Sequence, residues 1–280
     1  MWSVSRPTRP APEAFSTSIS KVRSADLKLR LQISLPAIEN AANLYAVSVA
    51  ANDLHNYPAE QTVGAVSRDE LVTNYTQRFA GKKGPARFIY DEIKGLPKGG
   101  RCPYCDQRDV ATLDHVLAKA HYPALAVAPD NLVGSCTECN KAKGDAPPAS
   151  LEEVILHPYF ENISNERWLW AQVNEIAPCS VSFFPVAPAG WSPVLANRLT
   201  GQFQLFGLAA LYGSQAAREL SDIREGLTRH YAAGGIAAVR SELTHQWRSR
   251  IHNQLNSWKT ALYEALSLSD WYCDGGFSHE

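Results

Sequence analysis

At 280 residues the chain is long enough for one or two domains with a sizeable hydrophobic core. Hydrophobic residues make up 45% of it and charged residues 20%, as in ordinary globular proteins, and no apolar run approaches the roughly 20 residues of a membrane span. The formal charge of -1 excludes a strongly basic chain, so any contact with nucleic acid needs locally concentrated positive charge or the surface of a partner. The start of the chain has no signal-peptide core, so we expect a cytoplasmic protein with reduced cysteines.

The N-terminal third is predicted to be helical after a loose arm. Residues 1–22 hold several prolines among serines and arginines, so we expect this arm to be poorly ordered. Residues 23–96 are predicted to be a helical region, although the leucines of 27–35 alternate as in a strand and also fit one helical face. The clearest helix spans 67–80, where a serine followed three residues later by a glutamate forms the pattern of a capping box.

Four cysteines in two pairs mark the centre of the chain. The pairs Cys102/Cys105 and Cys136/Cys139 have the Cys-x-x-Cys spacing and lie inside a predicted domain of residues 97–148. Four thiolates fill the tetrahedral shell of a Zn²⁺ ion and leave no position for water or substrate. Two disulfides or a chance cluster are the alternatives, and a reducing compartment disfavours the disulfides. We therefore predict a structural zinc ion.

Between and after the cysteine pairs, the pattern predicts two strands and a helix. The segment VATLDHVLA is β-prone and apolar, and it carries Asp114 and His115 to the end of the first strand. The segment NLVGSCT, which begins at Asn131, is the expected partner strand. Thr137 to Lys143 suits a short helix that ends at a glycine. Together these elements form a ββα unit.

The polar residues of this unit suit phosphodiester hydrolysis. A hard cation such as Mg²⁺ takes oxygen ligands, which Asp114 and the amide of Asn140 can supply. A neutral His115 suits proton removal from water near pH 7, Asn131 suits a hydrogen bond that orients the imidazole, and Lys143 suits a phosphate oxygen. Taken singly, an aspartate is more often a turn residue and a histidine a strand-end residue, but their order between the cysteine pairs favours the catalytic interpretation.

This stretch resembles the HNH (ββα-metal) endonuclease family, in its four-cysteine zinc-binding subgroup, through the segments CPYC, LDH, DNL and CTECNKAK. The resemblance implies that Asp114 and Asn140 hold a catalytic Mg²⁺ or Mn²⁺. It also implies that His115 is the general base and that Asn131 orients this base. Many members have histidine in place of Asn140, and asparagine is an accepted variant there. The subgroup includes bacterial anti-phage defence nucleases, some of which act beside a separate ATPase, so a separate ATPase or sensor subunit is an expected partner.

Residues 149–280 are predicted to be a mainly helical region. A proline pair at 147–148 marks its start, and the β-prone run CSVSFFPV precedes the helices. From about residue 191, apolar stripes predict four helices with breaks at 213–214 and near 234–235.

These patterns predict an α+β fold that is mainly α, with a zinc-stapled ββα unit between N-terminal and C-terminal helical regions. The predicted function is a metal-dependent endonuclease that hydrolyses phosphodiester bonds in DNA, as an effector of bacterial anti-phage defence. Two alternatives stay open. One is an HNH nuclease that cuts RNA, and the other is a non-catalytic zinc-stapled module that binds nucleic acid or serves as an adaptor.

Overall fold

The computed structural model describes residues 3–278 and divides the chain into two compact units, Met1–Asn162 and Ile163–Glu280. We call them the N-terminal unit and the C-terminal unit. Helices predominate, and the strands form small two-stranded sheets, so the predicted class, α+β and mainly α, is confirmed. Within residues 3–278, no helix combines the length and the apolar character needed to cross a membrane.

The N-terminal unit has one hydrophobic core that joins its early helices to its later strands. Phe15, Leu31, Ile89, Leu113 and Leu132 all lie in this core. The regions predicted as separate domains, 23–96 and 97–148, therefore both contribute residues to this core. The helices and strands of the unit are α1 Ala11–Ile19, α2 Ala25–Ile33, α3 Leu35–Ala50, β1 Thr62–Val63, β2 Val66–Ser67, α4 Arg68–Thr73, α5 Arg87–Lys94, β3 Thr112–His115, β4 Leu132–Ser135 and α6 Thr137–Lys143.

The segment 149–162 also belongs to the N-terminal unit, although the proline pair before it predicts a domain boundary there. The Tyr159 hydroxyl donates a hydrogen bond to the Leu132 carbonyl at 2.7 Å. The Nε2 atom of His157, which is buried, lies 2.9 Å from the Tyr45 hydroxyl oxygen. These interior contacts hold the segment to the unit, so the boundary falls after residue 162.

The start of the chain is folded, which corrects the prediction of a loose arm over residues 1–22. Of this range the structure describes residues 3–22. A proline lies in the first turn of α1, where its missing amide costs no helical hydrogen bond. Phe15 is fully buried in the core, and Arg6 donates two hydrogen bonds to Asp130 at 2.7 and 2.6 Å. Burial of one face of α1 therefore outweighs the local signal of the prolines.

Residues 27–35, where strand and helix both stayed open, are helical and lie in α2 and the start of α3. Ser24 caps α2 by accepting a hydrogen bond from the Leu27 amide at 3.3 Å. Leu29 and Ile33 are 57% and 69% exposed, whereas Leu31 between them is buried. In a strand these three alternate residues would lie on the same face, so their burial does not follow the pattern of a strand.

The helix predicted over 67–80 forms, but its geometry changes halfway. The predicted capping box closes the start of α4, and the chain then continues through the π-helical turn Asn74–Phe79. This turn carries Tyr75 to the ring of His115, with the ring centroids 4.5 Å apart in an edge-on arrangement. Apolar periodicity predicted the helix and gave no sign of the wider turn.

Strands β3 and β4 pair antiparallel, and α6 follows β4 directly. Asp114 lies opposite Val133 in this pairing. The sulfur of Cys136 caps α6 by accepting a hydrogen bond from the Cys139 amide at 3.3 Å. The predicted ββα unit is therefore confirmed, with a first strand shorter than the β-prone segment of the sequence.

A strand pair and one long helix organise the C-terminal unit. Its long helix is interrupted at Gly234 and Gly235, as predicted. The break predicted at 213–214 does not form, and the chain turns instead at Gly207, whose φ of 60° suits glycine. The strands and helices are β5 Leu169–Asn174, β6 Ser180–Pro185, α7 Pro193–Leu205, α8 Leu208–Asn253, α9 Trp258–Leu268 and α10 Asp270–Cys273.

Candidate active site and zinc cluster

The four paired cysteines meet at one point of the N-terminal unit. All four side chains are buried, and their sulfur atoms lie within 4.8 Å of one another. A tetrahedral zinc ion with Zn–S bonds of about 2.3 Å needs sulfur atoms about 3.8 Å apart. The separation of the Cys105 and Cys136 sulfurs, 3.9 Å, fits this requirement. None of the six cysteines, which all lie among the described residues, forms a disulfide, so the structure does not support the disulfide alternative.

The electrostatics of the cluster also favour a cation. Hydrogen bonds among the crowded thiols raise the pKa of Cys102 and Cys139 and lower the pKa of Cys105 and Cys136. A central divalent ion would stabilise all four groups together as thiolates. The cluster has the ligand set and spacing of a structural zinc site.

Beside the cluster lies a cavity of about 660 Å³. It brings together four of the residues predicted for catalysis, since Asp114, His115, Asn140 and Lys143 all line it. Strand β3 supplies the first two residues and α6 supplies the other two. Asn131, the fifth predicted residue, is fully buried and does not belong to the described lining of this cavity.

Asp114 is a buried carboxylate with two polar partners. Its side chain is 2% exposed, the Tyr104 hydroxyl donates to Oδ2 at 3.0 Å, and Lys143 Nζ lies 3.4 Å from Oδ1. Loss of hydration raises the pKa of Asp114 to about 6, against the opposing effects of the Lys143 charge and the Tyr104 hydrogen bond. Lys143 therefore offsets only part of the cost of burying this charge, and a further cation would be favoured here.

His115 is held as a neutral imidazole of defined tautomer. Its Nε2 atom lies 2.9 Å from the Ala126 carbonyl oxygen, which can only accept, so Nε2 carries the hydrogen and Nδ1 keeps its lone pair. Burial, together with the nearby positive charge of Lys119, lowers the pKa of His115 to about 3. At neutral pH the ring is therefore uncharged, and its Nδ1 is unprotonated.

The predicted role of Asn131 as the direct partner of the imidazole is wrong. Its side-chain oxygen accepts from the Leu117 amide at 2.8 Å, and its side-chain nitrogen donates to the carbonyls of Leu117 and Leu125 at 2.9 and 3.3 Å. These bonds close the loop that leads from β3 to Ala126. Asn131 thus acts on His115 only at a distance, by fixing the loop whose carbonyl holds the ring.

Lys143, predicted to contact a phosphate oxygen, has protein partners in the structure. Its ammonium group donates to the His115 carbonyl at 2.8 Å and lies beside Asp114, with the side chain 10% exposed. The ammonium of Lys119 also lines the cavity, 5.3 Å from the centroid of the Tyr75 ring, and its pKa is lowered by burial. Lys119 therefore adds a second ammonium group to the lining of the cavity.

Sequence reasoning missed Tyr104 and Tyr75. It considered Lys119 for a contact with the nucleic-acid backbone, but assigned it by default to a solvated face because acidic residues lie nearby. Tyr104 carried a signal, since it lies between the first two cysteines and must stay close to the cluster. Tyr75 carried none, because its position depends on the π-helical turn.

The comparisons agree with this site. Residues 102–146 match the model of the HNH endonuclease family, which confirms the resemblance seen in the sequence and supports a nuclease function for the ββα unit. Protein ea31 of Escherichia phage lambda is 28% identical to this chain over 232 residues, an alignment that covers 78% of each protein. No solved structure gives a significant match.

Proposed function

We propose that this chain is a metal-dependent endonuclease that hydrolyses phosphodiester bonds in DNA. The observation that carries the proposal is the pairing, in one cavity, of the buried carboxylate of Asp114 with a neutral His115 whose Nδ1 is free. A binding or adaptor module would have no use for this pair. The match of residues 102–146 to the HNH endonuclease family supports the same reaction class.

The oxygen donors of the cavity fit a hard divalent cation. Asp114 supplies a carboxylate whose buried charge is only partly balanced by Lys143, and Asn140 supplies a neutral amide oxygen from α6. We propose that these two residues hold Mg²⁺ or Mn²⁺. When bound, such an ion stabilises negative charge on the phosphate and on the departing 3′ oxygen.

His115 is the proposed general base. It takes a proton from water at Nδ1 while Nε2–H stays bonded to the Ala126 carbonyl, which then also stabilises the imidazolium. Asn131 supports this arrangement by closing the loop, and Lys119 is the proposed contact for a phosphate oxygen.

Cleavage of supercoiled plasmid tests the reaction. The purified protein should nick or linearise the plasmid with Mg²⁺ or Mn²⁺ and stop in EDTA. The variant His115→Ala should keep its zinc and lose cleavage. The variant His121→Ala is the matched control, since His121 lies in the same loop but outside the described lining of the cavity. Wild-type cleavage by His115→Ala would refute the assignment.

The same assay separates the alternatives. Digestion of RNA and DNA side by side tests the proposed preference for DNA, which rests on the family resemblance alone. Binding of nucleic acid without cleavage under any metal condition would favour the adaptor module instead.

We further propose that the chain acts in the cytoplasm as an effector of anti-phage defence, together with a separate ATPase or sensor subunit. This role rests on the resemblance to defence nucleases, and the similarity to a phage protein is also compatible with a phage-borne or mobile-element role. Plaque counts on bacteria that express the chain with its neighbouring gene products, compared with His115→Ala, test it. Equal plaque counts for the wild type and His115→Ala would refute the proposed role in defence.

A further inference from the structure

Tyr104 connects the zinc cluster to the carboxylate of the candidate active site. It lies between Cys102 and Cys105 in the sequence, and its side chain is fully buried. Its hydroxyl donates a hydrogen bond to Oδ2 of Asp114 at 3.0 Å. The cysteines on either side restrict the backbone of Tyr104, so this hydroxyl has a fixed position.

This hydrogen bond gives the two oxygens of Asp114 different surroundings. Oδ2 is taken by the phenol, whereas Oδ1 lies 3.4 Å from Lys143 Nζ, beside the cavity that both residues line. The terminal torsion of an aspartate has broad preferences and does not set the direction of the carboxylate by itself. The backbone of His115 contributes one further hydrogen bond to this carboxylate, from the adjacent residue. Among these contacts, Tyr104 is the one that reaches Asp114 from the cysteine cluster.

We propose that Tyr104 is a positioning residue, which directs Oδ1 of Asp114 towards the catalytic metal ion and links that ion to the zinc cluster. The inference rests on the proposed function, because it needs Asp114 to be a metal ligand. Hydrogen-bonding partners of metal-binding carboxylates typically change metal affinity by about 10- to 100-fold when they are removed. A tyrosine with only a packing role would change stability and leave the metal affinity alone.

The test compares Tyr104→Phe with Tyr159→Phe in the full chain purified with its zinc. Both changes keep the ring and remove one hydroxyl hydrogen bond, but the Tyr159 hydroxyl donates to the Leu132 carbonyl at 2.7 Å and not to Asp114. Binding of Mn²⁺ is measured by the loss of the free-ion signal in electron paramagnetic resonance, which needs no cleavage. Zinc content and thermal unfolding are measured in parallel to confirm that each variant is folded.

We expect Tyr104→Phe to bind Mn²⁺ about 10- to 100-fold more weakly at unchanged zinc content. Cleavage by this variant should recover as Mn²⁺ is raised to saturation, while Tyr159→Phe should bind Mn²⁺ like the wild type. Equal Mn²⁺ affinity for Tyr104→Phe and the wild type, or an equal loss in both tyrosine variants, would overturn the inference.

The variant Asp114→Ala separates this inference from the proposed function. If Asp114→Ala loses Mn²⁺ binding and Tyr104→Phe does not weaken it, only the role of Tyr104 fails. If Asp114→Ala binds Mn²⁺ like the wild type, the metal site itself is wrong and both proposals fall.

Discussion

The low pKa of the buried His115 makes the stability of the N-terminal unit depend on pH. The pKa of His115 is about 3 in the folded protein, against an ordinary value of 6.5. Below pH 6.5 the unfolded chain therefore takes up a proton that the folded chain refuses, so acid destabilises the fold. Between pH 8 and pH 5.5, proton binding by the histidine favours the unfolded state about tenfold, which is one logarithmic unit in the folding equilibrium constant. This costs the folded state about 1.4 kcal/mol at 1.36 kcal/mol per unit.

Asp114 acts in the opposite direction over the same range. Its pKa is raised to about 6, so the folded state takes up this proton before the unfolded state does, and the stability so gained is lost as the pH rises through 6. Between pH 8 and pH 5.5, protonation of Asp114 therefore increases the free energy of unfolding by about 0.8 kcal/mol. A comparison of two proteins that share Asp114 is therefore needed to isolate His115.

The variant His115→Gln provides that comparison, since its amide can still donate to the Ala126 carbonyl but cannot titrate. We expect the wild type to lose about 1.4 kcal/mol more than the variant between pH 8 and pH 5.5. In the assay the protein is unfolded with urea, and hydrogen–deuterium exchange of peptides from residues 112–135 monitors the unfolding. Tryptophan fluorescence is unsuitable, because six of the seven tryptophans lie beyond residue 162. Identical pH dependence in both proteins would show that His115 titrates normally and would refute its burial as a neutral base.

Three further outcomes follow from the same contacts. Phe15→Ala should destabilise the N-terminal unit by about 3–5 kcal/mol, because it empties a fully buried position, and thermal unfolding should show it. An unchanged unfolding temperature would instead support the prediction that residues 1–22 form a poorly ordered arm. Asn131→Ala should cost about 2 kcal/mol, since it leaves the buried Leu117 amide without its acceptor, and faster hydrogen exchange across residues 117–125 at normal zinc content should reveal it. Slow exchange there would contradict the loop-closing role. Cys139→Ser should lower zinc content well below that of the wild type, measured on the purified protein, whereas Cys179→Ser should not. Equal zinc content in the two variants would refute the proposed four-cysteine zinc site.

The sequence alone was enough to predict the clustering of the four cysteines, the ββα unit and the neighbouring positions of Asp114 and His115 at the end of a strand. These features are local, because a short turn brings together two cysteines three residues apart, and neighbouring residues share a strand end. The capping box and the break at Gly234 and Gly235 were predictable for the same reason, because caps and glycine breaks depend on the few residues around them.

The tertiary structure decided which partner each of these side chains has. Lys143 reaches the carbonyl of His115 across 28 positions of the chain, and Asn131 reaches Leu117 across 14, so neither partner could be predicted from spacing. The folding of residues 3–22 and the position of Tyr75 likewise depend on a core assembled from distant segments. Local patterns therefore defined the chemical groups of the candidate site. The packing of the whole N-terminal unit defined their orientation, burial and protonation, because those properties depend on neighbours that the chain brings together only when it folds.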